Sequence, residues 1–200
     1  GRILEQTSIP TTVPEETIPL IIKYFEGKDI AALGVASFGP IDPDPESPTY
    51  GYITSTPKPG WRNYDLLGNL KSALDVPMGF DTDVNGSLLG EITYGESKGI
   101  TDAVYITIGT GIGGGVMSGG KLIHGMLHPE LGHMMMRPHP KDVFAGRCPY
   151  HHNCLEGMAS GPAIGERWGK PAAELADIPA VWELEAYYLG QAIANLILVL

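Results

Sequence analysis

Ala103-Val104-Tyr105-Ile106-Thr107-Ile108-Gly109-Thr110-Gly111-Ile112-Gly113-Gly114-Gly115-Val116-Met117 is a β-branched run, a glycine turn and a second apolar run. Gly109, Gly111 and Gly114 satisfy the G-x-G-x-x-G spacing of a dinucleotide fold, and Glu130 stands roughly where a ribose-binding acid is expected. That fold needs the glycines to open a helix whose N-terminus receives the pyrophosphate. Here Val116-Met117 and Lys121-Leu122-Ile123 flank Ser118-Gly119-Gly120, which predicts a hairpin instead. No Walker lysine follows the glycines either. The stretch reads as strand, turn, strand. Its uncovered backbone N–H groups and the Thr110 hydroxyl suit phosphate oxygens, and a plain tight hairpin explains the glycines equally well.

Working outward, Thr12-Val13-Pro14-Glu15 resembles a capping box, with Thr12 as N-cap and Glu15 at the third helical position of a helix to about Phe25. Pro19 should weaken or kink that helix. Strands are expected over Ile30–Ser37, Pro77–Asp81 and Ala103–Ile108. Helices are expected over Trp61–Leu74, Asp83–Tyr94 (capped by Thr82 or Asp83), 157–168 and Pro179–Leu200 (capped by Asp177). Gly1-Arg2-Ile3-Leu4 reads as the start of a strand already under way, and Leu189–Leu200 stops without a helix-ending signal, so a piece of a longer protein is expected. Strands alternating with helices predict an α/β fold. A boundary near Gly99 would separate residues 1–98 from residues 99–200, two α/β domains.

The chain of 200 residues is 43% hydrophobic, enough for a real core. Its net charge of −10 comes without a basic patch, which argues against nucleic acid or an anionic membrane as partner. No spanning segment or signal peptide is visible. Two cysteines at a metal-like spacing point to a reducing compartment, the cytoplasm.

All six histidines and both cysteines lie between His124 and Cys154. Cys148-x-x-His151-x-x-Cys154, with His133 upstream, offers two thiolates and two imidazoles, a full tetrahedral set for zinc. A Cys148–Cys154 disulfide would leave the histidines unexplained. His152 competes with His151 for the metal, and spacing favours His151. His124, His128, His139 and His152 read as structural or exposed.

Glu130 and Glu156 flank these ligands, and each carboxylate could accept two hydroxyl hydrogen bonds from a polyol. His133 could bind metal through one ring nitrogen and leave the other for a ligand. Asp83, between a strand end and a helix start, is either an N-cap or a base at the carboxyl end of a strand, where α/β proteins place ligands. Phosphoryl transfer to an alcohol needs one such carboxylate.

Taken in order, the glycine segment Gly109–Gly115, His128-Pro129-Glu130-Leu131-Gly132-His133 and a Cys/His loop ending Cys154-Leu155-Glu156-Gly157-Met158-Ala159-Ser160-Gly161 resemble the ROK family of sugar kinases, repressors and open reading frames. Thr82-Asp83-Val84-Asn85 with Leu89-Gly90-Glu91 is similar to that family's catalytic-Asp helix. Within it, Thr82, His128-Pro129 and His151 stand where glucokinase-like members usually carry Asn, Ala-Gly and Cys, which favours the bacterial fructokinases. Ser37-Phe38-Gly39-Pro40-Ile41-Asp42 and Thr56-Pro57-Lys58-Pro59-Gly60-Trp61 also look fructokinase-like.

The resemblance implies a two-domain actin/hexokinase-like (ribonuclease H-like) fold, present here as a truncated piece. The family's first phosphate hairpin precedes residue 1, and its adenosine segment follows residue 200. It implies ATP-dependent phosphorylation of D-fructose to fructose 6-phosphate, with Asp83 as general base, magnesium and a structural zinc. Gly39, Pro40, Asp83, Glu130, His133 and Glu156 would contact the sugar, and Gly109, Thr110, Gly111 and Gly113 the ATP phosphates. His133, Cys148, His151 and Cys154 would hold the zinc. A homodimer is usual in this group. The alternatives are a ROK-type sugar-responsive repressor, a kinase for glucose or mannose, and a zinc-stabilised interaction domain without chemistry.

Overall fold

The computed structural model describes residues 2–126 and 128–200. The chain divides into two compact units, Gly1–Gly99 with His124–His128, and Ile100–Ile123 with Pro129–Leu200.

In the first unit, helix α1 (Pro14–Phe25) passes through Pro19 and starts one residue later than the capping-box reading, with Val13 as N-cap. Thr12 instead donates its hydroxyl to Glu16, at 2.7 Å. Strand β1 (Leu33–Ser37) follows, and the short strands β2 (Tyr52–Ile53) and β3 (Tyr64–Asp65) pair antiparallel. The helix expected from Trp61 begins at Leu66 (α2, Leu66–Ala73), because the Asp65 carboxylate caps it by accepting the Gly68 N–H at 2.8 Å. Trp61 is a core residue rather than a helical one. Its indole donates to the Thr12 carbonyl at 2.6 Å, and its ring meets Phe38 and Tyr64 edge-on. Strand β4 (Met78–Thr82) pairs parallel with β1, setting Ser37 beside Thr82 at the carboxyl ends. Helix α3 (Asp83–Tyr94) leaves directly from that edge, capped by the Thr82 hydroxyl. Ile18, Ile41, Ile53, Leu67 and Phe80 form the core with Trp61. Arg2–Leu4, expected as strand, are not in one; Gly1 lies outside the described residues.

The second unit is built on the antiparallel order β5 (Ala103–Ile108), β6 (Ile112–Ser118), β7 (Lys121–Leu122). The predicted hairpin turns at Gly119 and Gly120, whose φ of 56° and 77° are left-handed values that suit glycine. A 3₁₀ turn at Leu131–His133 packs on β6. The single helix expected over 157–168 is two, α4 (Leu155–Ala159) and α5 (Gly161–Trp168). The break falls at Ser160, which caps α5, while the Gly161 N–H leaves the helical ladder to bond the Gly109 carbonyl at 2.9 Å. Helix α6 (Pro179–Val199) starts behind Ile178, with no side-chain cap from Asp177. Tyr188 and Ala192 of α6 bury against Leu155 and Met158.

Beside this core Arg167 is almost fully enclosed. Its guanidinium lies 3.3 Å from both Asp142 and Glu185 and donates to the Met158 carbonyl at 2.7 Å. Tyr188 donates to Asp142 at 2.6 Å. Burial pushes Glu185 up to about 7, against the pull of the Arg167 charge.

Candidate functional site: a glycine turn, a histidine turn and a thiol–imidazole cluster

Strand β6 carries the second unit's candidate site on its first residues. Between Ile108 and Ile112 the chain reverses through Gly109, Thr110 and Gly111, closed by Gly109 N–H donating to the Gly111 carbonyl at 2.9 Å. Only these three residues form the turn. Gly113 is already a strand residue opposite Thr107.

The glycines have different neighbours. A Cβ on Gly111 would sit 2.6 Å from Glu156 Oε2, the same oxygen that accepts the Ile112 N–H at 2.9 Å. A Cβ on Gly114 would collide with the Leu131 side chain at 2.1 Å, and one on Gly132 would lie 1.8 Å from the Ile112 carbonyl oxygen. A Cβ on Gly109 would meet nothing within 4 Å. So Gly111, Gly114 and Gly132 let Glu156 and the Glu130–His133 turn press against the strand, a reason that spacing along the chain could not reveal.

His133 ends that turn, its N–H bonded to the Glu130 carbonyl at 2.9 Å. Glu130 itself is exposed. His133 Nδ1 lies 3.9 Å from Cys148 Sγ and 3.6 Å from Cys154 Sγ, and His151 Nδ1 lies 3.8 Å from Cys148 Sγ. The four ligand atoms all fall within 4.8 Å of one another. Zinc bonds to sulfur and nitrogen at tetrahedral angles place S and N about 3.6 Å apart, so this donor set fits zinc in both chemistry and size. Both cysteines are free and buried. Burial pushes the Cys154 thiol up to about 11, with Cys148 adding to it, so a dication would supply the charge that favours the thiolates. His151, not its neighbour His152, joins the cluster. Nδ1 is the His133 nitrogen that faces the sulfurs.

Cys154 also caps α4 by accepting the Gly157 N–H at 3.4 Å. Glu156 follows on the first turn of that helix. The thiol–imidazole cluster, through Cys154, and the carboxylate that braces the glycine turn are therefore two residues apart on one element.

In the first unit, Asp83 is exposed at the start of α3, at the carboxyl edge of the parallel pair. Its Oδ1 accepts the Val84 N–H at 2.9 Å. Gly39 and Pro40 follow β1 at the same edge, joined by a cis peptide bond. The histidines read as structural or exposed belong to this picture too. His124 Nε2 lies 2.8 Å from Asp81 Oδ2, and the His128 ring comes within 3.4 Å of a Cβ placed on Gly39. Sequence reading missed this pairing; the only local signal was Asp81 two residues before Asp83. Among the described residues no helix is long and apolar enough to cross a membrane.

Comparison with known proteins places these features in a group. The pattern of the ROK family matches residues 1–200. The chain is 54% identical over 200 residues to a candidate fructokinase of Bacillus subtilis (strain 168), covering 100% of this chain and 67% of that protein. It is 47% identical over 201 residues to the fructokinase of Lactococcus lactis subsp. cremoris, covering 100% of this chain and 68% of that one. The chain thus spans about two thirds of the length of these relatives. Among solved structures, the ROK hexokinase of Thermus thermophilus superposes with a TM-score of 0.75 at 25% identity, covering 96% of this chain and 69% of that one. The fold is accordingly the actin/hexokinase-like one of ROK hexokinases, represented by about two thirds of its length.

Proposed function

The chain belongs to the ROK family, and from that premise we propose that it is part of an ATP-dependent fructokinase converting D-fructose to fructose 6-phosphate. Asp83 is the general base. As the sugar 6-hydroxyl oxygen bonds to the γ-phosphorus of ATP, the Asp83 carboxylate takes the hydroxyl proton, and the bond from that phosphorus to ADP breaks. Magnesium would neutralise phosphate charge in the usual way for such transfers.

The sugar is oriented by Glu130, Glu156 through Oε1, and His133 through Nε2, with Gly39 and Pro40 lining its site. Gly109, Thr110, Gly111 and Gly113 face the ATP phosphates. His133, Cys148, His151 and Cys154 would hold a zinc ion, which would fix His133 and the start of α4 and supply no reacting group. Residues 1–98 and 99–200 are read as the two domains, the protein as a cytoplasmic homodimer.

The observation that carries the reading is Asp83 itself. It is an exposed carboxylate at the carboxyl edge of a parallel strand pair, in a chain whose relatives of 45–54% identity are named as fructokinases. The test is a coupled ADP-release assay on the full-length protein with fructose, glucose, mannose and N-acetylhexosamines, wild type beside Asp83→Asn. Fructose-dependent turnover that Asp83→Asn abolishes is expected. Sugar binding without turnover would replace the kinase by a sugar-responsive repressor, and faster turnover of another hexose would reassign the substrate.

A further inference from the structure

The Asp81 carboxylate serves three donors at once. Oδ1 accepts the Thr82 N–H at 2.7 Å and the Asn85 side-chain amide at 2.8 Å, and Oδ2 faces His124 Nε2 at 2.8 Å. Asn85 is completely buried, and its own N–H is held by the Thr82 hydroxyl at 3.2 Å. Asp83 therefore sits in a five-residue turn stitched on its inner side by Asp81, Thr82 and Asn85, and tied on the other side to His124, 43 residues along the chain. Among the described residues the Asp83 carboxylate is anchored through Oδ1 to the next N–H, that of Val84, so the direction of its other oxygen follows the backbone of this turn.

The His124–Asp81 pair is only partly covered, with side chains 38% and 21% exposed. Pairs of that kind add little to stability. What such a pair can do is fix geometry, since a general base must meet its proton within hydrogen-bond reach.

We infer that Asp81 and His124 are positioning residues for the turn that carries Asp83, His124 holding the outer Asp81 oxygen so that the inner one aligns Thr82 and Asn85. This rests on the reading of Asp83 as the base. Asp81 suits the task because an ionised carboxylate only accepts, so all three donors are satisfied together. His124 suits it because Nε2–H donates whether the ring is neutral in that tautomer or protonated.

The test uses the full-length protein with fructose and ATP, and separates geometry from folding by a conservative rescue. His124→Ala should lower kcat about tenfold while the fructose KM stays within about twofold, because the turn shifts but the sugar contacts remain. His124→Gln, whose terminal N–H lies where the ring Nε2–H did, should restore kcat to within about threefold of wild type. Thermal midpoints of both variants should match wild type. A wild-type kcat in His124→Ala overturns the inference. So does a loss that His124→Gln does not recover, or one that tracks a lowered midpoint. Asp83→Asn is run in parallel. If it keeps turnover, the base assignment has failed and the positioning role goes with it; if it is dead while His124→Ala is fully active, only the inference fails.

Discussion

Gly132→Ala puts the tightest contact of the candidate site to the test. The new methyl would lie 1.8 Å from the Ile112 carbonyl oxygen, 2.8 Å from its carbon and 3.3 Å from the Ile112 Cβ. Two of those atoms are backbone of β6, which at Ile112 is paired with Ile108 of β5 and held by Glu156 through the Ile112 N–H, so it has little room to step aside. Carbon atoms pack best near 3.5–4.0 Å, so the Glu130–His133 turn must lift off the strand by about 1.5 Å. Leu131, buried at 5% exposure, is dragged with it. Overpacking of this sort costs about 1–3 kcal/mol, or about 2–4 °C in thermal midpoint per kcal/mol for a protein of this size.

The functional loss should be larger than the stability loss. A metal site tolerates roughly 0.2 Å in its ligand distances, so His133 would leave the cluster or strain it. A misplacement of about 1 Å in a substrate-orienting group costs about a hundredfold in turnover efficiency. Zinc content, thermal midpoint and kcat/KM for fructose are measured on Gly132→Ala beside Gly109→Ala, whose methyl meets nothing. Gly109→Ala should keep the wild-type midpoint and metal. Gly132→Ala with full zinc, unchanged kcat/KM and a midpoint within about one degree of wild type would refute the packing argument.

Two other perturbations give distinct signatures. Glu185 is raised by burial to about 7 from an ordinary 4.5, so the folded state keeps a proton that the unfolded chain has released. The stability this contributes is complete below about pH 4.5 and is lost as pH climbs through about 7, by at most about 3 kcal/mol. Glu185→Gln keeps an oxygen for Arg167 and should lack that loss; urea midpoints falling equally in variant and wild type between pH 5 and 8 would contradict it. Cys148→Ser breaks the four-donor cluster, so bound zinc should be lost and the fructose KM should rise about tenfold or more while kcat falls less, since a metal there would position His133 and no reacting group. An unchanged KM in zinc-free protein would remove the metal from the sugar site.

Local chemistry was legible in the sequence where the signal was local. The four donors His133, Cys148, His151 and Cys154 converge as their types and spacing required, because few other arrangements satisfy two thiols and two imidazoles together. The start of α3 at Asp83 and the turn at Gly119–Gly120 were equally readable from a cap and from residues tolerant of positive φ. What failed depended on distant partners. Trp61 carried a helical pattern but was claimed by Phe38, Tyr64 and the Thr12 carbonyl. The expected helix over 157–168 broke at Ser160 because Gly161 bonds Gly109, 52 positions earlier in the chain.

The glycine segment shows how this limit bears on function. Read along the chain, its glycines look interchangeable, each a place where a phosphate could approach the backbone. In the structure they divide by what presses on them. Gly111 is occupied by Glu156, and Gly114 by Leu131. Gly109, by contrast with these two, has open space where a side chain would be, and it adjoins the exposed Thr110. If the turn meets ATP, Gly109 and Thr110 offer the most open approach, and Gly111, besides facing the phosphates, admits the carboxylate that holds Ile112. Phosphate contact and sugar contact would then be coupled through one side chain, Glu156. Its Oε2 braces the glycine turn while Oε1 would serve a sugar hydroxyl, so Glu156→Gln should disturb the KM for ATP as well as that for fructose.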